Sequence, residues 1–154
     1  MAELRLASGH IALVDDEDLP AVLAAGPWRV HRNDRGRYVR SRDLSRLLHQ
    51  FLTGWPMTDH ANGDGLDNRR VNLRPANHSQ NAANSRMPKT NTSGFKGVHW
   101  RKDRKRWTAA IRRDYRRIHL GYFDTPEAAA SAYDAAAIAA WGEFARTNFP
   151  RVAA

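Results

Sequence analysis

The stretch that decides the fold is GFKGVHWRKDRKRWTAAIRRDYRRIHLGYF, residues 94–123. Its hydropathy alternates with period two, the mark of a strand with one buried face. In RWTAAIR, Trp107, Ala109 and Ile111 point one way, and Arg106, Thr108, Ala110 and Arg112 the other. Farther on, Ile118, Leu120 and Tyr122 are expected on one face, with Arg117 and His119 opposite. KDRK (102–105) and RDYR (113–116) supply turns, and Gly97 marks a bulge in the first run. The reading is a three-stranded antiparallel meander with one apolar and one arginine-rich face.

A helix is expected to cover the apolar face. Thr125 can cap it, Pro126 suits its first turn and Gly142 its end. Between them Ala128, Ala129, Ala132, Tyr133, Ala136, Ala137, Ala140 and Trp141 recur at helical spacing, and the small alanines let the helix lie close to the sheet. Tyr133, Trp141, Phe144 and Phe149 supply large anchors.

The rest of the chain sets this module in context. It has 154 residues, no cysteine and a net charge of +9, with an isoelectric point near 10.8. That length suits one medium domain or two small ones. Lack of cysteine excludes disulfides, thiol catalysis and thiolate metal centres. No apolar run approaches the roughly 20 residues of a membrane helix, and no secretory signal is expected. The expectation is a non-secreted, cytoplasmic protein of a bacterial or phage-infected cell, with no membrane partner. The excess charge favours a polyanion, with nucleic acid first. Residues 1–90 hold 13 basic and 10 acidic side chains, and residues 91–154 hold 12 and 6. Between the halves RMPKTNTSG (86–94) reads as a linker.

GFKGVHWRKDRKRWTAAIR, HLGYF, PEAAASAYDAAA and the terminal NFP resemble the ethylene-response-factor (Apetala-2-like) DNA-binding domain over about residues 93–150. The resemblance implies that the sheet, not the helix, enters the major groove of double-stranded DNA. Matched by position, its groove-facing set is Lys96, His99, Arg101, Arg104, Arg106, Arg112, Arg117 and His119. His99, Arg104 and His119 stand where plant domains usually carry Arg or Trp, so the recognised sequence does not transfer. Trp107 is expected in the core.

In the first half, IALVDDEDLPAVLAAG suggests a strand and then a helix from about Asp16 to Gly26, with Asp15, Asp16, Glu17 and Asp18 as capping and solvated charge. WRVHRNDRGRYVRSR reads as a hairpin around Asn33–Gly36, and LSRLLHQFLTGW as an amphipathic helix or partly buried segment. His10 and His31 receive no functional role. The chemistry lies in DHANGDGLDNRRVNLRPANHSQNAANSR, residues 59–86. Asn62-Gly63 and Asp64-Gly65 are turn dipeptides, VNLR a return strand, and ANHSQNAANS a polar helix. An EF-hand starting at Asp59 fails, because Ala61 and Arg70 fall where oxygen ligands belong.

That string resembles the HNH, or ββα-metal, endonucleases of the small phage and intron-encoded homing type. The resemblance spans about residues 10–86 and is strongest over 45–86. It implies an α+β protein with an HNH module at 1–87, a linker at 88–93 and the sheet-and-helix module at 94–150. It further implies one divalent cation, Mg²⁺ or Mn²⁺, on Asp59 and Asn81, with His60 as general base and Asn72 bracing the loop. Asn84 is an alternative or accessory to Asn81, and His49 an accessory with a supporting role. Arg69, Arg70 and Arg74 are candidate phosphate clamps. The expected activity is metal-dependent hydrolysis of DNA by a monomer or weak dimer. The alternative is a non-catalytic, sequence-specific DNA-binding regulator that keeps an inert nuclease-like fold.

Overall fold

A computed structural model describes residues 1–33, 36–113 and 115–151. Asp34 and Arg35 of the first expected turn, and Asp114 of RDYR, lie outside the described residues. The chain is α+β with antiparallel sheets. It divides into two units, Met1–Asn81 and Ala82–Ala154. The division precedes the expected linker for a physical reason. Lys96 donates its Nζ to the carbonyls of Ala83 (2.5 Å) and Ser85 (2.8 Å), binding that segment into the second unit.

In the first unit, β1 (Ala2–Arg5) pairs with β2 (Ile11–Val14). The helix α1 spans only Leu19–Ala24, so the expected start at Asp16 is corrected. The acids before it do not cap it. Asp18 accepts from Nε (2.9 Å) and Nη2 (2.8 Å) of Arg70, and Asp15 accepts from the Arg70 backbone N–H (2.7 Å). These carboxylates fix a loop 52 residues away, and Asp18 is buried rather than solvated.

Next come the hairpin β3 (Trp28–Asn33) and β4 (Gly36–Ser41), the helix α2 (Leu48–Thr53), and the strand pair β5 (Thr58–His60) and β6 (Leu73–Pro75). A 3-10 turn, Arg70–Asn72, leads into β6, and α3 (His78–Ala83) follows. The N-terminus of α3 is closed reciprocally: Gln80 N–H donates to Asn77 Oδ1 (2.9 Å) and Asn77 N–H to Gln80 Oε1 (2.8 Å). Leu4, Val14, Val22, Trp28, Val39 and Leu48 form the centre of this unit's core.

The second unit holds β7 (Val98–Arg101), β8 (Arg106–Arg113) and β9 (Arg116–Phe123) in that spatial order, all antiparallel. The helix α4 (Pro126–Trp141) packs on one face. Thr125 Oγ1 accepts from Ala128 N–H (3.1 Å), Pro126 opens the helix and Gly142 ends it. Val98, Ala109 and Ile111 pack against Ala129, Ala130, Tyr133 and Ala137, with Trp107 partly buried beside them. Gly97 belongs to no bulge. Its φ is +78°, and a Cβ there would lie 2.0 Å from Cδ2 of Tyr133, so the helix anchor occupies the space a side chain needs.

The bulge sits instead in β9. Ala109 faces Gly121 and Ala110 faces His119, which leaves Leu120 without a cross-strand partner. The extra residue reverses the alternation beyond it. Tyr122 therefore shares the open face with His119, not the helix face with Ile118 as the plain period-two pattern predicts. A buried acid missed in the sequence closes the unit: Asp134 accepts from the Asn148 backbone (2.8 Å) and side chain (2.9 Å) and from Phe149 N–H (2.9 Å).

Candidate nucleic-acid interface

Strand register sorts the basic residues. The face of the sheet away from α4 carries His99 and Arg101 from β7, Arg106, Thr108, Ala110 and Arg112 from β8, and Arg117, His119 and Tyr122 from β9. Arg101 stands directly opposite Arg106, and Arg112 opposite Arg117. Directly opposed like charges destabilise a sheet. Such a face is costly alone and favourable against a polyanion.

Local contacts give each group a state. Arg101 pairs with Asp103 through Nε and Nη2, both at 2.8 Å, and Arg106 with Asp124 through Nε at 3.0 Å. These pairs are exposed, and surface pairs of this kind hold only about 0–1 kcal/mol, so a phosphate can replace the carboxylate. Among the described residues Arg112 forms no ion pair. Arg117 Nη2 donates to Nε2 of His99 at 2.8 Å. Burial, and next the charges of Arg117, Arg101 and His119, hold the His99 pKa below the ordinary histidine value. Thr108 Oγ1 lies 2.8 Å from Nε2 of His119, whose ring meets Tyr122 at 4.7 Å between centroids. The Arg104 guanidinium sits 5.7 Å from the centre of the Tyr122 ring, which places Arg104 at the same surface.

Lys96 is not on that face. Its ammonium faces the carbonyls at the end of α3, where burial and the nearby Arg146 push its pKa down to about 8. Tyr122 was missed in the sequence, and the bulge explains it; Trp100, half exposed beside Trp107 at 5.2 Å between ring centroids, stands on the helix side of the sheet. A cavity of about 440 Å³ opens among Pro88, Asn91, His99, Arg112, Tyr115 and Arg117, bringing two guanidiniums to one concavity.

The other candidates lie in the first unit. Asp59 and His60 sit on β5, 3% and 5% exposed. Arg74 donates to Asp59 Oδ2 from Nε (2.9 Å) and Nη2 (2.7 Å). This donor set serves an ion pair, and a cation on Asp59 would first have to displace a guanidinium. Arg69 pairs with Asp67 and Arg70 with Asp18, so all three expected phosphate clamps face carboxylates. Asn72 Oδ1 accepts from Asn62 N–H (3.0 Å), and Asn72 Nδ2 donates to Asp67 O (2.7 Å), which fixes the loop between the strands. Gly65 of that loop touches β4: a Cβ there would lie 2.3 Å from the Arg37 carbonyl oxygen.

His60 Nε2 is 3.4 Å from Oδ1 of the fully buried Asn68, and its ring lies 4.9 Å from that of His49 and 5.9 Å from Tyr38. Burial lowers the His60 pKa; burial and then His60 push His49 down to about 3. The Nδ1 of His49 is buried without a hydrogen-bond partner among the described residues. Two neutral imidazoles packed in a protein interior suit support of the fold. Asn81 is half-buried on α3, and Asn84, just past α3, is buried.

Residues 93–143 match the family model of the AP2 domain. Ethylene-responsive transcription factor ERF024 of Arabidopsis thaliana is 50% identical over 58 residues, covering 36% of this chain and 32% of its own length. Protein 3.8 of Escherichia phage T7 is 42% identical over 53 residues, 34% of this chain and 44% of its own. Dehydration-responsive element-binding protein 1G of Oryza sativa subsp. indica is 33% identical over 110 residues, 70% of this chain and 49% of its own. The chain thus spans from a third to a half of these relatives. The plant relatives are named as transcription factors and element-binding proteins, and the matching family model is AP2, not a nuclease. This overturns the expectation of an HNH DNA endonuclease that the first-half motifs raised. The second unit of the chain carries an AP2 domain.

Proposed function

We propose that this chain is a non-catalytic, sequence-specific DNA-binding regulator whose three-stranded sheet lies in the major groove. The supporting observation is the face on which Arg101 opposes Arg106 and Arg112 opposes Arg117, with His99, His119 and Tyr122 between them. The plant relatives' names support the same partner. Arginine reads guanine O6 and N7 bidentately and also grips phosphate. Exposed Arg112, with no carboxylate partner among the described residues, is assigned to base readout, and Arg101 and Arg106 to phosphates after exchange of Asp103 and Asp124. The first unit, with its buried histidines and paired arginines, acts as a folded partner module that keeps a hairpin–loop–helix of nuclease type without its activity.

The test is selection from a random duplex pool, followed by titration of the recovered sequence and a scrambled duplex with wild type and Arg112→Ala. A recovered motif whose preference collapses in the variant supports the reading. Recovery of no motif would remove sequence specificity from it.

A further inference from the structure

The opposed arginines of the sheet recur in the other unit. On the β3–β4 hairpin, Arg29 faces Arg40 and Arg32 faces Arg37. Residues 28–46 hold seven Arg against two Asp, while the rest of residues 1–90 holds six basic and eight acidic side chains. The whole positive excess of the first half therefore sits on this ribbon and the segment after it. Among the described residues, none of Arg29, Arg32, Arg37, Arg40, Arg42 and Arg46 forms an ion pair, whereas Arg69, Arg70 and Arg74 of the same unit all do. Five of the six are exposed, and Arg40 is half-buried.

Opposed like charges without acids weaken the hairpin that holds them. Strand alternation puts Arg29 and Arg40 on one face and Arg32 and Arg37 on the other. A ribbon meant for a flat anionic surface needs charge on one face only. Charge on both faces suits a groove with phosphates along each wall, and the major groove, about 12 Å wide, admits a two-stranded ribbon.

We propose that the β3–β4 ribbon is a second duplex-DNA contact, holding phosphates on both walls of a major groove. Its partner rests on the reading above; its surface does not. Each phosphate neutralised adds about 0.9 to the slope of log K against log salt.

The experiment titrates full-length wild type, Arg29→Gln/Arg40→Gln, Arg32→Gln/Arg37→Gln and Arg112→Ala against a long duplex at several salt concentrations. Thermal unfolding is followed in parallel. Each ribbon double variant is expected to lower the slope by about 2 and weaken binding to all sequences alike, with an unchanged or raised midpoint because a repulsion is removed. Unchanged slopes in both folded double variants overturn the proposal. If only Arg112→Ala weakens binding, the ribbon fails and the sheet stands. If only the ribbon variants do, the sheet reading fails and the ribbon stands. A ribbon-dependent slope larger on A-form RNA, whose deep major groove is too narrow to enter, overturns the assignment to DNA.

Discussion

Arg117 on β9 reaches across β8 and donates to Nε2 of His99 on β7 at 2.8 Å. Arginine has no acceptor, so Nε2 must carry its lone pair and the proton of the neutral ring must sit on Nδ1. The contact fixes the guanidinium plane of Arg117 before DNA arrives. His99→Ala should therefore cost discrimination at one base pair, about 1–3 kcal/mol or 5- to 150-fold. His99→Gln, which keeps an acceptor, should retain most of it. Competition between matched and mismatched duplexes measures the difference; equal discrimination in all three proteins would sink the positioning role.

The same contact predicts a pH dependence. The depressed His99 pKa keeps the ring neutral at pH 7. As pH falls through that value, Nε2 becomes a donor and Arg117 is released. Acid should lower sequence preference while the added charge raises affinity for any duplex. Parallel titrations of matched and scrambled DNA between pH 7 and pH 5 test this, and a preference that survives acidification counts against it.

Stability should also fall in acid, through the first unit. His49 and His60 are buried neutral, with folded pKa values below the unfolded one, so the unfolded chain binds more protons on acidification. Their stabilisation is complete above the unfolded value of about 6.5 and is lost as pH falls toward the folded values. Each contributes roughly 1.4 kcal/mol per pH unit within that window. Urea unfolding at pH 7 and pH 5 should show a loss of about 2 kcal/mol for His49 alone. His49→Phe should flatten the dependence by that amount, and an unaltered slope would place its origin elsewhere.

Gly97→Ala should destabilise the second unit by roughly 2–4 kcal/mol, combining left-handed backbone strain with overpacking against Tyr133. A Gly97→Ala/Tyr133→Leu double variant should lose less than the sum of the single changes. Additive losses would show that the close approach is not what requires glycine.

Asp59→Asn should cost roughly 3–5 kcal/mol by leaving the Arg74 guanidinium largely buried without its counter-charge. Replacing both residues with apolar side chains should restore part of it. Mg²⁺ and EDTA should each leave the unfolding midpoint of the wild type in place, since Asp59 is committed to Arg74. A midpoint raised by Mg²⁺ would reopen the cation site.

What was legible in the sequence is what short-range rules govern. Thr125, Pro126 and Gly142 delimit α4 because caps act within one turn, and the alternation from Arg106 to Arg112 sets the two sides of β8. The unread parts depend on distant partners. Asp18 looks like a helix cap until Arg70 is brought to it across 52 residues, and Lys96 looks like a groove contact until the end of α3 arrives beside it. The string from Asp59 to Asn84 suggested catalysis because each residue type has that chemistry in isolation. Enclosure of His60 and the pairing of Asp59 with Arg74 are tertiary facts.

The unpaired Leu120 has a consequence for descent as well as for shape. Deleting that one residue would give β9 plain alternation while keeping every cross-strand pair, so Gly121 would still face Ala109 and Tyr122 would still face Thr108 on the open side. The open face of such a sheet can thus keep its lettering through a single in-frame codon loss, because the register with β8, not the parity of the sequence, decides which side chains it carries. Relatives one residue shorter at this point are therefore expected to present the same side chains to DNA where their arginines coincide.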